Sequence, residues 1–221
     1  ILFLAFSVSS LSQKSVPNNK FQSYSMKDGL SQNVVRAIKQ DSMGYMWIGT
    51  EDGLNKFNGY NFKIFKKEVK DSNSLADNFI YSLAAGDSGK VWVGTNSGGL
   101  ALYDPSQENF KVFQHDPSDI HSISEGRIYS IHIDGEGNVW AGTFGGGLNL
   151  YQEKKNQFKR YLYEPNNPNS ITSNKIFDIT DDGNGNLWIR TEKDLNKFNK
   201  SAEHFTSYDV PGERLVFEQT N

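Results

Sequence analysis

Residues 134–143 read DGEGNVWAGT, and close copies of this phrase occur three more times in the chain. The copies are DSMGYMWIGT at 41–50, GDSGKVWVGT at 86–95 and DGNGNLWIRT at 182–191. Their tryptophans are separated by 45, 48 and 48 residues. A period in the forties with several short strands per unit is typical of a propeller or a similar repeat array. The sequence therefore predicts an all-β fold in which one unit is repeated four times.

Each unit is predicted to form a blade of four antiparallel strands. The first strand has large apolar residues three positions apart, such as Ile128 and Ile131, which is typical of a strand covered on both faces. The D-x-x-G stretch is predicted to be a turn, because Asp bonds its own backbone and Gly accepts a positive φ. The second strand carries the Trp, which we expect to pack on the next blade. The third ends in Leu-x-x-aromatic, and the fourth has the F-K-x-[FY] pattern of residues 110–113.

The repeats define the predicted domain organisation. Residues 21–210 are assigned to the β-propeller segment and 211–221 to the start of a truncated next blade. The expected blades are 31–65, 75–113, 123–161 and 171–208. Residues 21–24 repeat the edge-strand phrase, and they are predicted to form the outer strand of the last blade. Seven blades would need about 336 residues, so the four are predicted to be part of an incomplete seven-bladed propeller with an exposed apolar blade face.

Composition excludes several kinds of function. The 221 residues contain no cysteine, which excludes disulfides, thiolate metal sites and cysteine catalysis. The formal charge of −3 and the absence of a basic run make nucleic acid an unexpected partner. Residues 1–13 begin with an apolar run and are interpreted as the remnant of a signal peptide, with a buried N-terminal strand as the alternative. A signal peptide would place the remainder in the periplasm.

No residue set predicts catalysis, a cofactor or a metal site. The four histidines are interpreted as surface or packing residues, because no recurring metal-ligand spacing surrounds them. The DGNGN stretch from Asp182 lacks the Gly and Glu positions of a calcium loop and is predicted to be a turn. The residues that recur at the same repeat positions are interpreted as structural anchors: Trp47, Trp92, Trp140, Trp188, Asp41, Asp134, Asp182, Gly44, Gly89, Gly137 and Gly185.

Ligand-binding residues are sought where the repeat is broken on the face that carries the inter-blade linkers and the tips after each Thr. Phe144 replaces the polar tip residues of the other blades and could stack on a sugar. Arg127 and Lys175 stand before first strands and could bind hydroxyls or a uronate. Asn78 and Asn96 offer both donors and acceptors. Ordinary surface variation is the alternative for each of the five.

The phrase D-x-x-G-x-x-W-I-G-T-x-x-G-L-x-x-[FY], with its D-P-x-x-x-x-S-[LI] linkers, resembles the two-component-regulator propeller repeat over residues 21 to about 210. The resemblance implies the periplasmic sensor region of a hybrid two-component system of the Bacteroidetes type. Such proteins carry further blades, a membrane helix, a histidine kinase and usually a response regulator, and they are homodimers. They are thought to sense oligosaccharides and to regulate polysaccharide-utilisation genes.

These implications predict a segment that binds a ligand and is not itself an enzyme. Ligand binding would shift a dimer between two arrangements and signal through the membrane to the kinase. Two alternatives remain open at this point. One is a propeller enzyme, either a lyase or a quinoprotein, and the other is a protein-docking scaffold without a small-molecule ligand.

Overall fold

The computed structural model describes residues 22–209, which form four sheets of four strands. The first two blades contain β1 Val35–Gln40, β2 Met46–Thr50, β3 Gly53–Phe57, β4 Phe62–Phe65, β5 Ile80–Ala85, β6 Val91–Thr95, β7 Leu100–Asp104 and β8 Asn109–Phe113. The next two contain β9 Ile128–Ile133, β10 Val139–Thr143, β11 Leu148–Gln152, β12 Gln157–Tyr161, β13 Ile176–Asp181, β14 Asn186–Thr191, β15 Leu195–Asn199 and β16 His204–Tyr208. The regions interpreted as a signal-peptide remnant (1–13) and a further blade (211–221) lie outside the described residues.

The four sheets are arranged as propeller blades. Within each sheet the strands pair antiparallel in sequence order. The first strands of successive blades, β1, β5, β9 and β13, contact one another, so the blades converge on their first strands. The all-β prediction of four-stranded antiparallel blades is confirmed. Between residues 22 and 209 the only helices are three single-turn 3₁₀ segments, and none could span a membrane.

The hydrophobic core is divided into three layers, one at each blade interface. The layer between blades 1 and 2 joins Trp47 and Leu54 to Leu75 and Ile80. Equivalent layers lie between blades 2 and 3 and between blades 3 and 4. Each blade therefore depends on its neighbour for burial, as expected for stacked repeat units that cannot cover their apolar faces alone.

The D-x-x-G turns are built as the sequence predicts. The four turn glycines have φ between +76° and +89°, which only glycine adopts readily. In two blades the turn aspartate also accepts a hydrogen bond from the tryptophan indole. The Trp47 Nε1 to Asp41 Oδ2 distance is 2.7 Å, and the Trp140 Nε1 to Asp134 Oδ2 distance is 3.0 Å. The aspartate thus ties the turn to the second strand.

The tips after each motif threonine lie on the same face as the inter-blade linkers. Thr95 Oγ1 donates to the carbonyl of Gly99, and the Gly98 amide donates to Thr95 Oγ1, which closes the tip. The Asn96 amide then donates to the carbonyl of Phe79, the last residue of the linker before β5, at 3.0 Å. The same tip-to-linker bond joins Phe144 to the residue before β9. This face is called the tip face below.

The edge strand predicted at residues 21–24 is not formed in the described part, because Gln22–Ser25 lies outside any strand. Tyr24 nevertheless occupies the place of an edge-strand aromatic. Its ring lies 4.9 Å from Phe57 and 5.7 Å from Phe62. Phe65 makes the equivalent contacts between blades 1 and 2, where its ring lies 5.5 Å from the Tyr103 ring and 5.4 Å from the Phe110 ring. The residues therefore take the packing position of an edge-strand aromatic against blade 1, without forming the predicted strand.

Blade 1 leaves an apolar face exposed in the described residues. Ile38 is 54% exposed, whereas the equivalent Leu83 in the second blade is 3% exposed. Val35 is 39% exposed, whereas the equivalent Ile80 is fully buried. The difference arises because each later first strand is covered by the blade before it.

Candidate functional site

A groove of about 700 Å³ opens on the tip face between blades 2 and 3. Its walls come from the tips of the second and third blades, from the linker that follows β8 and from the residues just before β9. The lining residues are Asn96, Ser97, Gln114, His115, Glu125, Gly126, Arg127 and Phe144. Three of the residues selected from the sequence, Asn96, Arg127 and Phe144, thus lie around one groove.

The groove opens where Gly126 replaces a repeated asparagine. In the neighbouring blades Asn78 Oδ1 accepts from the Lys67 amide at 2.7 Å, and Asn174 Oδ1 accepts from the Tyr163 amide at 2.7 Å. These side chains fill the space between a linker and the following first strand. Gly126 has no side chain there, and a Cβ on it would lie only 2.8 Å from the Ser97 carbonyl oxygen. Glycine at 126 therefore allows the close approach of Ser97 in the second-blade tip, and it leaves empty the space that an asparagine side chain fills in the neighbouring blades.

Phe144 forms the aromatic wall of the groove. Its ring stacks on Tyr129 at 5.1 Å with an interplanar angle of 26°. The Arg127 guanidinium carbon and the Lys175 ammonium nitrogen each lie 5.2 Å from the ring centroid. The ring is half-buried, and its neighbours are aromatic and cationic. Phe144 therefore holds two cations in place by cation–π contact.

The aromatic wall continues along the inner strands. Tyr81 and Tyr129 stack at 4.6 Å, and Phe79 lies 4.6 Å from Tyr81. On the other side Phe177 lies 5.7 Å from Tyr129. Tyr81, Tyr129 and Phe177 each sit at an irregularity of strand pairing, where the register between the first and second strands shifts by one residue. Such a bulge redirects a side chain, so the inner strands share a column of rings that a simple strand pattern does not predict.

The polar groups of the groove are partly engaged. The Ser97 hydroxyl donates to Asp77 Oδ2 at 2.8 Å and retains its acceptor capacity. His115 Nδ1 lies 2.9 Å from the Ile123 carbonyl, which can only accept, so Nδ1 carries the hydrogen and Nε2 of the neutral ring is an acceptor. Glu125 Oε1 accepts from the main-chain amides of Gly126 and Arg127, at 2.8 and 3.2 Å. The groove thus offers both donors and acceptors.

The other two candidates from the sequence lie elsewhere. Asn78 is engaged at both ends, because its Nδ2 also lies 3.3 Å from Asp52 Oδ1 at the first-blade tip. Lys175 pairs with Glu192 at 2.9 Å beside the groove and does not line it. The sequence did not predict the other five lining residues, which are Ser97, Gln114, His115, Glu125 and Gly126. The substitution of Gly for Asn at 126 was the signal that could have found them.

Metal-binding geometry is not found among residues 22–209, where no cluster of three or more His, Asp or Glu side chains could hold an ion. His132 Nε2 lies 3.1 Å from Asp181 Oδ2 and so links blade 3 to blade 4. This contact holds the pKa of Asp181 below its usual range. The pair serves as an inter-blade tie on the face opposite the tips.

Comparison with known proteins relates the repeats to two-component signalling proteins. The two component regulator propeller profile matches residues 29–52, 74–97, 122–145 and 170–193. A curated relative, histidine kinase P4 of Formosa agariphila, is 46% identical over 76 residues, which are 34% of this chain and 5% of that protein.

Solved structures agree with this relationship. The extracellular domain of a putative hybrid two component system from B. thetaiotaomicron has a TM-score of 0.78 and 26% identity, over 87% of this chain and 27% of that one. A putative one component system from the same organism, 21% identical with a TM-score of 0.72 over 89% of this chain and 28% of that one, shares the fold. The chain therefore spans under a third of these relatives. Its four blades are two-component regulator propeller repeats.

Proposed function

We propose that this chain is part of the sensor region of a hybrid two-component system and that the tip-face groove binds an oligosaccharide. The observation that carries the proposal is the groove at Gly126, where the repeat lacks the side chain that fills the equivalent space in the neighbouring blades. Its amide, imidazole and hydroxyl groups suit a ligand rich in hydroxyls. The match to sensor extracellular domains supports a receptor role.

The remainder of the signalling pathway belongs to the same proposal. The blades would belong to a seven-bladed propeller in the periplasm, anchored by a membrane helix and followed by a histidine kinase. Ligand binding would shift the equilibrium of a homodimer, and the response would be expression of polysaccharide-utilisation genes. This segment would contribute recognition and no bond-breaking step. No cofactor, metal or nucleic acid takes part in the proposed binding.

Isothermal titration calorimetry of the complete extracytoplasmic region against neutral and acidic oligosaccharides tests the proposal. We expect saturable binding of one glycan class. Asn96→Ala combined with Gln114→Ala is expected to weaken that binding, because both side chains line the groove. Lys63→Met is the control, since Lys63 lies at the outer rim and pairs with Glu108.

Three results would contradict the proposal. Absence of heat with every oligosaccharide would favour a docking scaffold, and cleavage of a bound glycan would favour an enzyme. Equal binding by the groove variant and wild type would place recognition outside the groove.

A further inference from the structure

Arg127 differs from two other cations that contact tip-face aromatics, Arg36 and Lys175. Lys175, at the equivalent position one blade later, pairs with the tip residue Glu192 at 2.9 Å. Arg36 pairs with the tip residue Glu51. Within residues 22–209 the Arg127 guanidinium has no carboxylate within ion-pair distance.

The cause is a substitution at the tip. Phe144 occupies the position of Glu192, so Arg127 faces an aromatic ring where Lys175 has an acid. The nearby Glu125 makes no ion pair with the guanidinium; its Oε1 instead accepts hydrogen bonds from the main-chain amides of Gly126 and Arg127. The planar guanidinium is instead held at 5.2 Å from the Phe144 centroid, beside the groove.

We propose that the groove takes an acidic sugar, a uronate, whose carboxylate binds the Arg127 guanidinium. This inference rests on the proposed oligosaccharide-sensing function and specifies its ligand class. The ligand carboxylate would occupy the role that Glu192 has toward Lys175 in the next blade. Arginine suits this role because its fixed fork matches a carboxylate with two parallel hydrogen bonds. Phe144 acts as a positioning residue, since contact with its ring orients the fork.

The groove also provides for the rest of the sugar. Asn96 and Gln114 line the groove with amide groups that can donate to and accept from hydroxyls. His115 Nε2 presents an acceptor, because Nδ1 is used by the Ile123 carbonyl. The groove therefore holds one cation and several neutral polar groups, together with the Glu125 carboxylate, whose Oε1 is engaged by main-chain amides. The cation suits a ligand carboxylate, and the neutral polar groups suit hydroxyls.

Calorimetry of the complete extracytoplasmic region with paired ligands tests the inference. The ligands are trisaccharides of galacturonate, glucuronate and mannuronate, each with its fully methyl-esterified form, together with neutral trisaccharides. Esterification removes the charge and keeps the ring. We expect an acid form to bind about tenfold or more tightly than its ester, and this preference to weaken at high salt.

Variants assign the preference to Arg127. Arg127→Ala is expected to abolish the difference between acid and ester, while Arg127→Lys retains part of it because charge remains without the fork. Phe144→Leu is expected to reduce the preference for the acid form over its ester, and Phe144→Tyr is expected to retain it. If Phe144 only filled space, this preference would not depend on whether residue 144 is aromatic. Arg36→Gln is the matched control, because Arg36 contacts the Phe79 ring at 5.6 Å and lies outside the groove.

The outcomes separate the inference from the function on which it rests. If a neutral trisaccharide or an ester bound as tightly as every acid form, the uronate assignment would be overturned and oligosaccharide sensing would stay intact. An acid preference that survives in Arg127→Ala would overturn the role of Arg127. Absence of binding by all ligands would overturn both.

Discussion

Gly49 in the second strand of blade 1 lies directly against Ile80 in the first strand of blade 2. A Cβ on Gly49 would lie 2.6 Å from Ile80 Cγ2 and 3.0 Å from Ile80 Cβ. The glycine of the W-x-G-T phrase is therefore required for the approach of the next blade. Gly94 has the same relationship to Ile128, at 2.9 Å from its Cγ2. The repeat thus encodes the spacing between blades.

Gly49→Ala is expected to destabilise the protein by about 1–3 kcal/mol, because the added methyl overpacks a filled interface. Urea unfolding followed by tryptophan fluorescence measures the change. Gly135→Ala is the matched control, since a Cβ on Gly135 meets nothing within 4 Å. Equal midpoints for the two variants would show that the interface relaxes freely around Gly49.

Gly86→Asp is expected to stabilise the protein by about 0.5–1.5 kcal/mol. Gly86 stands where Asp41 and Asp134 bond their tryptophans, so an aspartate would give the Trp92 indole an acceptor. Gly86 has extended backbone angles, and a Cβ on it would meet only ordinary contacts at 3.6 Å or more. Gly86→Ala is the control, because it also lowers the conformational entropy of the unfolded chain but adds no carboxylate to accept from the Trp92 indole. No difference between the two variants would refute the hydrogen-bond explanation.

Asp134 is expected to make stability depend on pH. Burial opposes its ionisation, but hydrogen bonds from Lys200, Trp140 and Asn138 hold the pKa of the carboxyl at about 2, below the ordinary 3.8. Because the folded pKa is the lower one, this stabilisation is complete above about pH 5 and is lost as the pH falls toward 2. It amounts to about 2 kcal/mol.

The pH dependence is measured as the difference in unfolding free energy between wild type and Asp134→Asn. The difference is expected to be largest near pH 7 and to shrink as the pH falls from about 4 to about 2. Taking a difference removes the contribution of the other carboxylates. A gap that stays constant over this range would mean that the carboxylate charge is not the stabilising feature.

The outer-rim ion pairs are expected to contribute little. Lys63 reaches Glu108 of the next blade at 2.7 Å, but both side chains are about half exposed. Exposed pairs contribute about 0–1 kcal/mol, so Lys63→Met should shift the urea midpoint less than Gly49→Ala does. A larger loss for Lys63→Met would identify the rim as a principal contact between blades.

The blades could be predicted from sequence because each recurring residue performs a local task. The turn glycines adopt positive φ, the motif threonine closes the tip, and the first-strand residues Ile128 and Ile131 are buried. The segment before blade 1 was less predictable. Tyr24 packs as an edge-strand aromatic, but its backbone is not paired within the described residues, because the four described blades each already have four strands and the last blade that residues 21–24 were predicted to complete is not among them.

The candidate site was only partly predictable. Arg127, Phe144 and Asn96 depart visibly from the repeat and line the groove, although their role in binding remains a proposal. Asn78 resembled a ligand-binding residue because its hydrogen bond to the Lys67 amide cannot be inferred from composition or spacing. The replacement of the repeated asparagine by Gly126 is visible in the sequence, but the contact that this asparagine makes in the neighbouring blades is not.

Hydrogen exchange measured with and without a bound oligosaccharide tests the central claim most directly. The account predicts slower exchange in residues 94–99 and 114–127 when the ligand is present. The equivalent segments between blades 1 and 2, residues 49–53 and 66–79, should be unchanged, because Asn78 fills the corresponding space there. Protection confined to other segments, with none in residues 94–99 and 114–127, would contradict recognition by the groove.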